Sequence, residues 1–165
     1  MTNQQFDQTI LPLGEKMFRL ALAIVGGRDE AQDVAQDVME RLWRGHSELR
    51  LDNAEAFVMR SVRNASLDRI KQSQRRAQRL AEVAWIADRS APPREEFDVG
   101  SLIDQFIAEL PEQQQTILHL RDVEGYEFDT IAEVVGMESA TVRVNLSRAR
   151  RAIKEKMVKT MNFGL

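Results

Sequence analysis

Cysteine is absent from this chain, and histidine occurs only at His46 and His119. Disulfide stapling is therefore excluded, and a zinc site would lack its usual ligands. No run of 18 or more apolar residues occurs, so the chain offers no membrane-spanning helix. Its first residues lack the basic-then-apolar pattern of a secretory leader, and a cytoplasmic location without membrane insertion is the expectation. Glycine-rich phosphate loops, nucleophile elbows and metal-ligand spacings are missing as well. Neither an enzyme nor a cofactor is indicated. Proline is scarce, with two of its four copies adjacent at Pro92 and Pro93.

What the chain does have is segregated charge. The 165 residues carry a net charge of only −3. Residues 41–80 hold ten basic against four acidic side chains, and residues 143–165 hold seven against one. Between them, residues 101–142 hold nine acids and a single arginine, Arg121. Two separate basic segments are the footprint of a polyanion binder, whereas acidic faces suit basic partners or water.

Apolar residues recur at spacings of three and four almost throughout, with no alternating runs, which predicts an all-α fold of two small helical domains. A first helix is expected from about Phe6 to Val25, ending at Gly26 and Gly27, and a second from Asp29 to Trp43. A polar stretch, residues 44–53, precedes a long helix from Ala54 to about Ala84, with Asn53 placed to cap it. The segment "DRSAPPREEFDVG" reads as an interdomain linker, giving units at 6–78 and 101–160 joined by a flexible 79–100.

In the second unit, "DTIAEVVGMESATVRVNLSRARRAIKEK" reads as helix, tight turn, helix. Ile131, Ala132 and Val135 supply the apolar face, Gly136 the left-handed stop and Ser139 a cap for the next helix. Ala132 four residues before Gly136 and Val142 six after it match the spacing of a DNA-binding helix-turn-helix. Val142, Leu146, Ala149 and Ile153 fall within about 60° on a wheel and must be buried. Val144, Ser147, Arg148 and Arg151, flanked by Arg143 and Lys154, then face outward. Arg143 and Arg148 suit guanine reading, Val144 a thymine methyl, and Lys154, Lys156 and Lys159 either phosphate contact or plain solvation.

The first unit's long helix places Val58, Met59, Val62, Ala65 and Ile70 on one face, and Phe57, Arg60, Asn64, Asp68 and Lys71 on another. Asn64 has no propensity reason to sit in mid-helix and can read a base edge. With Arg60, Lys71, Arg75 and Arg76 it forms a candidate nucleic-acid surface, beside a polar loop able to hold an unstacked base. Asp68 is expected to pair with Lys71 or another structural partner. Upstream, Ala31, Val34, Ala35, Val38 and Leu42 face inward, leaving Gln32, Asp33, Gln36, Asp37 and Glu40 as an acidic, amide-rich face for solvent or a basic protein.

In this order the segments resemble the extracytoplasmic-function sigma factors of the bacterial sigma-70 family. "DEAQDVAQDVMERLW" is similar to conserved region 2.2, "AFVMRSVRNASLDRIK" to regions 2.3 and 2.4, and "ELPEQQQTILHLRDVEGYEFDTIAEVVGMESATVRVNLSRARRAIKE" to region 4. The resemblance implies partners: core RNA polymerase, through its beta-prime clamp helices and beta flap, promoter DNA, and an anti-sigma factor. It further implies that Asp33, Gln36 and Asp37 face the polymerase. Arg60, Arg63, Asn64 and Lys71 would serve minus-10 recognition, with a flipped base taken up by the 44–53 loop; Arg143, Val144, Ser147, Arg148 and Arg151 would face the minus-35 duplex. Phe57, Val144 and Asn145 depart from the family pattern, so no minus-35 sequence is carried over. A stand-alone helix-turn-helix regulator binding duplex operator DNA is the alternative.

Overall fold

A computed structural model describes residues 1–50, 52–83 and 99–163, and no strand occurs among them. The 79–100 linker, with Pro92 and Pro93, lies largely outside the described residues; its first five positions are still helical.

Eight α-helices form the described fold: α1 (Asn3–Thr9), α2 (Gly14–Val25), α3 (Arg28–Arg44), α4 (Ala54–Val83), α5 (Val99–Ala108), α6 (Glu112–Leu118), α7 (Phe128–Val135) and α8 (Ser139–Phe163). The single helix expected over Phe6–Val25 is two. Pro12 has no amide hydrogen to donate, and the chain turns through a short 3-10 segment, Leu11–Leu13, before α2 begins. Thr2 and Gln5 cap α1 reciprocally. At the other end of α2, Gly26 adopts φ 85° and its N–H reaches the Leu22 carbonyl, a conformation that costs a side-chain-bearing residue strain. Asp29 and Glu30 lie in the first turn of α3 and Arg41 and Arg44 in its last, so its charges oppose the helix dipole at both ends.

Helices α2, α3 and α4 pack together through the stripes that the sequence marks. Met17, Leu20 and Ala21 meet Ala31, Val34, Val38 and Leu42, with Val58, Met59 and Val62 completing the first core. Asn53 has φ 55°; its carbonyl accepts the first α4 hydrogen bond, but its side chain turns to Glu133 instead of capping. Asp68 is exposed and makes no ion pair among the described residues, so its expected pairing does not form.

In the second half α6 continues into a π-helical turn, His119–Val123, and then α7 and α8. Ile117, Leu120, Ile131, Val134, Val142, Leu146 and Ala149 are buried together. Gly136 stops α7 at φ 69°, with its own N–H and that of Met137 on the Ala132 carbonyl. Ser139 does not cap α8. It is the helix's first residue and donates its hydroxyl to Asp129 Oδ1 at 2.6 Å, tying α8 to α7.

The two halves are in contact, α7 against α4 and α6 against α2. At the centre of this seam Arg19 grips the Glu124 carboxylate with two hydrogen bonds of 2.7 and 2.9 Å. The Glu124 side chain is 2% exposed, and the Arg19 fork holds its pKa below the ordinary carboxylate value. His119 Nε2 lies 3.3 Å from the same carboxylate but is not aligned for a hydrogen bond, and burial lowers its pKa. Alongside, Tyr126 donates its hydroxyl to Glu55 at 2.6 Å, and Lys16 reaches the same oxygen at 3.1 Å. Burial, then the Glu55 carboxylate, pushes the Tyr126 phenol above its usual range.

Both depressed groups act in the same direction with pH. Neutral His119 and ionised Glu124 are the forms the folded protein favours, so each contributes stability above its unfolded pKa, about 6.5 and 4.3, and loses it as pH falls through the lower folded value. The melting temperature should therefore decline as pH drops from 7 to 4. Glu124→Gln should flatten the lower part of that decline in a pH series of thermal melts; an unchanged profile would show that the seam does not titrate.

Candidate nucleic-acid and polymerase surfaces

The helix-turn-helix displays the outward face expected of it. Val142, Leu146 and Ala149 are buried and Ile153 half-buried. Arg143, Val144, Ser147, Arg148, Arg151 and Lys154 are exposed along one side of α8. Val144, at 47% exposure, is an apolar side chain in the middle of a polar face. Arg148 and Arg151 form no ion pair among the described residues, leaving their guanidinium forks open to an acceptor, whereas Arg150 is bound to Asp122. Asn145 folds back on its own helix, its amide donating to the Thr141 carbonyl at 2.9 Å.

Arg143 is braced in a way that the sequence did not reveal. Its guanidinium lies 4.8 Å from the centre of the Phe128 ring, and Arg121 lies 4.4 Å from the same ring. Arg121 is held in turn by the Tyr126 carbonyl at 2.8 Å. Phe128 begins α7, so the first helix of the motif positions an arginine at the start of the second.

On the first half, Phe57, Arg60, Asn64, Asp68 and Lys71 share an exposed face of α4. Next to it an open cavity of about 590 Å³ lies between α3, α4 and the segment joining them, its lining including Arg41, Leu49, Arg50, Asp52, Phe57 and Ser61. Phe57 is 46% exposed at this cavity rather than packed in the core. The loop is anchored where it leaves α3: His46 stacks on Trp43 at 4.5 Å, Phe6 meets both rings edge-on, and His46 Nε2 lies 2.6 Å from Asn3 Oδ1.

Two of the four residues expected at minus-10 DNA are not free. Arg63 makes a paired contact with Glu112, 3.0 and 2.9 Å, and is 13% exposed. Arg60 donates to the Glu133 carbonyl, at 2.9 Å through Nε. Asn64 and Lys71 remain exposed. The structure thus brings Arg60 and Arg63 to the seam and leaves Asn64 and Lys71 beyond it. The only forewarning in the sequence was the acidic 101–142 block, which supplies Glu112, Glu124 and Glu133.

On α3, Asp33, Gln36, Asp37 and Glu40 project together from an exposed face, opposite buried Ala31, Val34 and Val38. Asp37 lies 3.7 Å from Arg69 of α4, and Glu40 pairs with Arg44 at 2.6 Å. Asp33 has no ion pair among the described residues.

Comparison with known proteins matches two segments of the chain to family models. Residues 11–76 match sigma-70 region 2, and residues 101–153 match sigma-70 region 4. The RNA polymerase sigma-H factor of Pseudomonas aeruginosa is 30% identical over 161 residues, covering 90% of this chain and 83% of that protein. The chain belongs to the sigma-70 family, as an extracytoplasmic-function sigma factor. The similarly named SigM of Mycobacterium tuberculosis is 27% identical over 97% of this chain and 80% of its own length. Among solved structures, the Bartonella quintana sigma factor RpoE, in complex with the anti-sigma factor NepR, superposes with a TM-score of 0.74 at 20% identity. It is covered for 96% of its length, against 92% of this chain. CnrH, in complex with the cytosolic domain of CnrY, superposes with a TM-score of 0.68 at 19% identity, over 96% of this sigma factor and 90% of CnrH. Sigma factors are initiation factors rather than enzymes, and no His, Asp and Glu cluster suited to a metal occurs among the described residues. No helix among them is long and apolar enough to cross a membrane.

The bracing of Arg143 has a direct test. Phe128→Leu keeps an apolar side chain at the start of α7 but removes the ring, worth about 0.5–1 kcal/mol to an exposed guanidinium. The variant should melt within a few degrees of the wild type, while the upfield ring-current shifts of the Arg143 side-chain protons disappear in its NMR spectrum. Retention of those shifts would mean that the ring does not hold this arginine.

Proposed function

We propose that this protein binds core RNA polymerase and directs promoter-specific transcription initiation in the cytoplasm, region 2 engaging the polymerase and the minus-10 element and region 4 the minus-35 element. One observation carries the reading: a chain with basic, outward-facing surfaces on α4 and α8 keeps an acidic face exposed on α3. That face repels DNA and needs a basic partner, which fits protein recognition by charge complementarity. Asp33, Gln36 and Asp37 take this polymerase-facing role.

On α4, Asn64 and Lys71, with Arg60 and Arg63 once they are released, serve the minus-10 strand. The neighbouring cavity, rimmed by Phe57, suits an extruded base, whose unstacking costs a few kcal/mol that contacts in the cavity offset. On α8, Arg143 and Arg148 read base edges, Val144 and Ser147 contribute shape and apolar contact, and Arg151 meets backbone phosphate. The solved complexes of RpoE with NepR and CnrH with CnrY support an anti-sigma partner for this chain too. A stand-alone operator-binding regulator accounts for α8 but leaves the acidic α3 face and the loop cavity without a role.

Co-elution with core RNA polymerase on size exclusion, beside a duplex-DNA binding assay without polymerase, tests the reading. Stoichiometric co-elution with weak lone DNA binding is expected; tight sequence-specific duplex binding without polymerase association would overturn it. The double variant Asp33→Lys/Asp37→Lys should lose polymerase affinity by about tenfold or more, since each 1.4 kcal/mol is a factor of ten. Its far-UV circular dichroism should stay that of the wild type, because both side chains point to solvent. Wild-type affinity in the double variant would remove α3 from the interface.

A further inference from the structure

Beside the Tyr126–Glu55 hydrogen bond, the seam between the two halves is crossed by three arginines of the first half, each on an acceptor of the second. From α2 and α4 come Arg19, Arg60 and Arg63; from the acidic block come Glu124, the carbonyl of Glu133 and Glu112. Glu133 also accepts from the Asn53 amide at 3.1 Å through its carboxylate. The Glu112 carboxylate meets Arg63 through two parallel N–H···O bonds, the geometry in which a guanidinium also receives a phosphate. It is fixed for this by Thr116, whose hydroxyl donates to Glu112 Oε1 at 2.8 Å. At 13% exposure Arg63 has no room for a second anion while Glu112 is in place.

We infer that the Arg60–Arg63 surface has two alternative occupants: the second unit's own acceptors in the free protein, and the phosphates of single-stranded DNA once the units part. Glu112 is thereby an internal competitor of the promoter strand. This rests on the sigma reading for the role of α4 and adds to it the partner that fills that surface beforehand. A group tethered within one chain acts at a high effective concentration, so an external strand sees an affinity reduced by the fraction of open molecules. The competition is one-sided. Asn64, Lys71, Arg75 and Arg76 stay exposed along α4 and can receive a strand first, and the outward face of α8 lies outside the seam. The closed protein is therefore able to meet duplex through region 4 while region 2 lacks two of its arginines.

The full-length protein, a fluorescein-labelled single-stranded DNA of about 20 nucleotides and small-angle X-ray scattering test this. Glu112→Gln keeps an acceptor for Thr116 but removes the charge; it should bind the oligonucleotide about five- to tenfold more tightly at low salt and show a larger radius of gyration. Glu138→Gln, an exposed acid of the same unit outside the seam, sets the gain due to net charge alone. Arg63→Gln in the Glu112→Gln background should cancel the extra affinity. Glu124→Gln, which weakens the far end of the seam without touching Arg63, should also tighten binding, and covers the case in which Glu112→Gln fails to fold. Affinities for both variants within twofold of the Glu138→Gln control would overturn the competition. Wild-type co-elution with polymerase is run in parallel: if it is retained while the oligonucleotide affinities stay level, competition alone is wrong, and if it is lost, the sigma reading itself fails.

Discussion

Arg19 and Glu124 hold the rest of the molecule in register. One lies on the second helix and the other just after a π-helical turn more than a hundred residues later, yet their contact is bidentate and the carboxylate is almost wholly buried. An uncompensated charge there would be costly, because a desolvated carboxylate with no partner loses its hydration and gains nothing in return. The pair therefore fixes which way the acidic side of α6 and α7 faces α4. From that orientation follow the Glu55–Tyr126 hydrogen bond, the Arg63–Glu112 clamp and the Arg60 contact with the Glu133 backbone.

Much of the fold was legible because helical spacing is a local property. Val142, Leu146 and Ala149, or Ala31, Val34 and Val38, declare their buried face with no knowledge of what covers it. Gly136 likewise announced its own stop through a left-handed backbone that needs no tertiary partner. Local rules failed where a competing partner came from afar. Asn53 looked like a helix cap and spends its amide on Glu133; Ser139 looked like another and spends its hydroxyl on Asp129. Pro12 shows the converse, a local signal inside an apolar stretch that divides the helix with no tertiary partner.

The candidate sites divide in the same manner. The outward faces of α3 and α8 depend on one helix each, and their exposed residues could be named from the sequence. Arg60 and Arg63 were nameable too, but not their partners, because charge blocks in a sequence show what is attracted and not where it docks. The acidic 101–142 segment suits a basic protein partner, and in the structure it spends three of its glutamates on the protein's own first half. Phe128 was invisible for a related reason. An aromatic at a helix start is ordinary until two arginines are found over its ring.

Helix α8 is 25 residues long, roughly 37 Å at 1.5 Å per residue, and its exposed Arg143, Val144, Ser147, Arg148 and Arg151 occupy only the first half. The far half is fastened to α5 and the residue after it, where Lys156 sits over the Phe106 ring and bonds Glu109. Because α5 is the first described helix after the interdomain segment, the start of the second half is held by the tail of α8 rather than by its first turns. The buried Val142, Leu146 and Ala149 lie on the same turns as the exposed Arg143, Arg148 and Arg151, so the inner contact and the outward face of α8 are set together, apart from its tail.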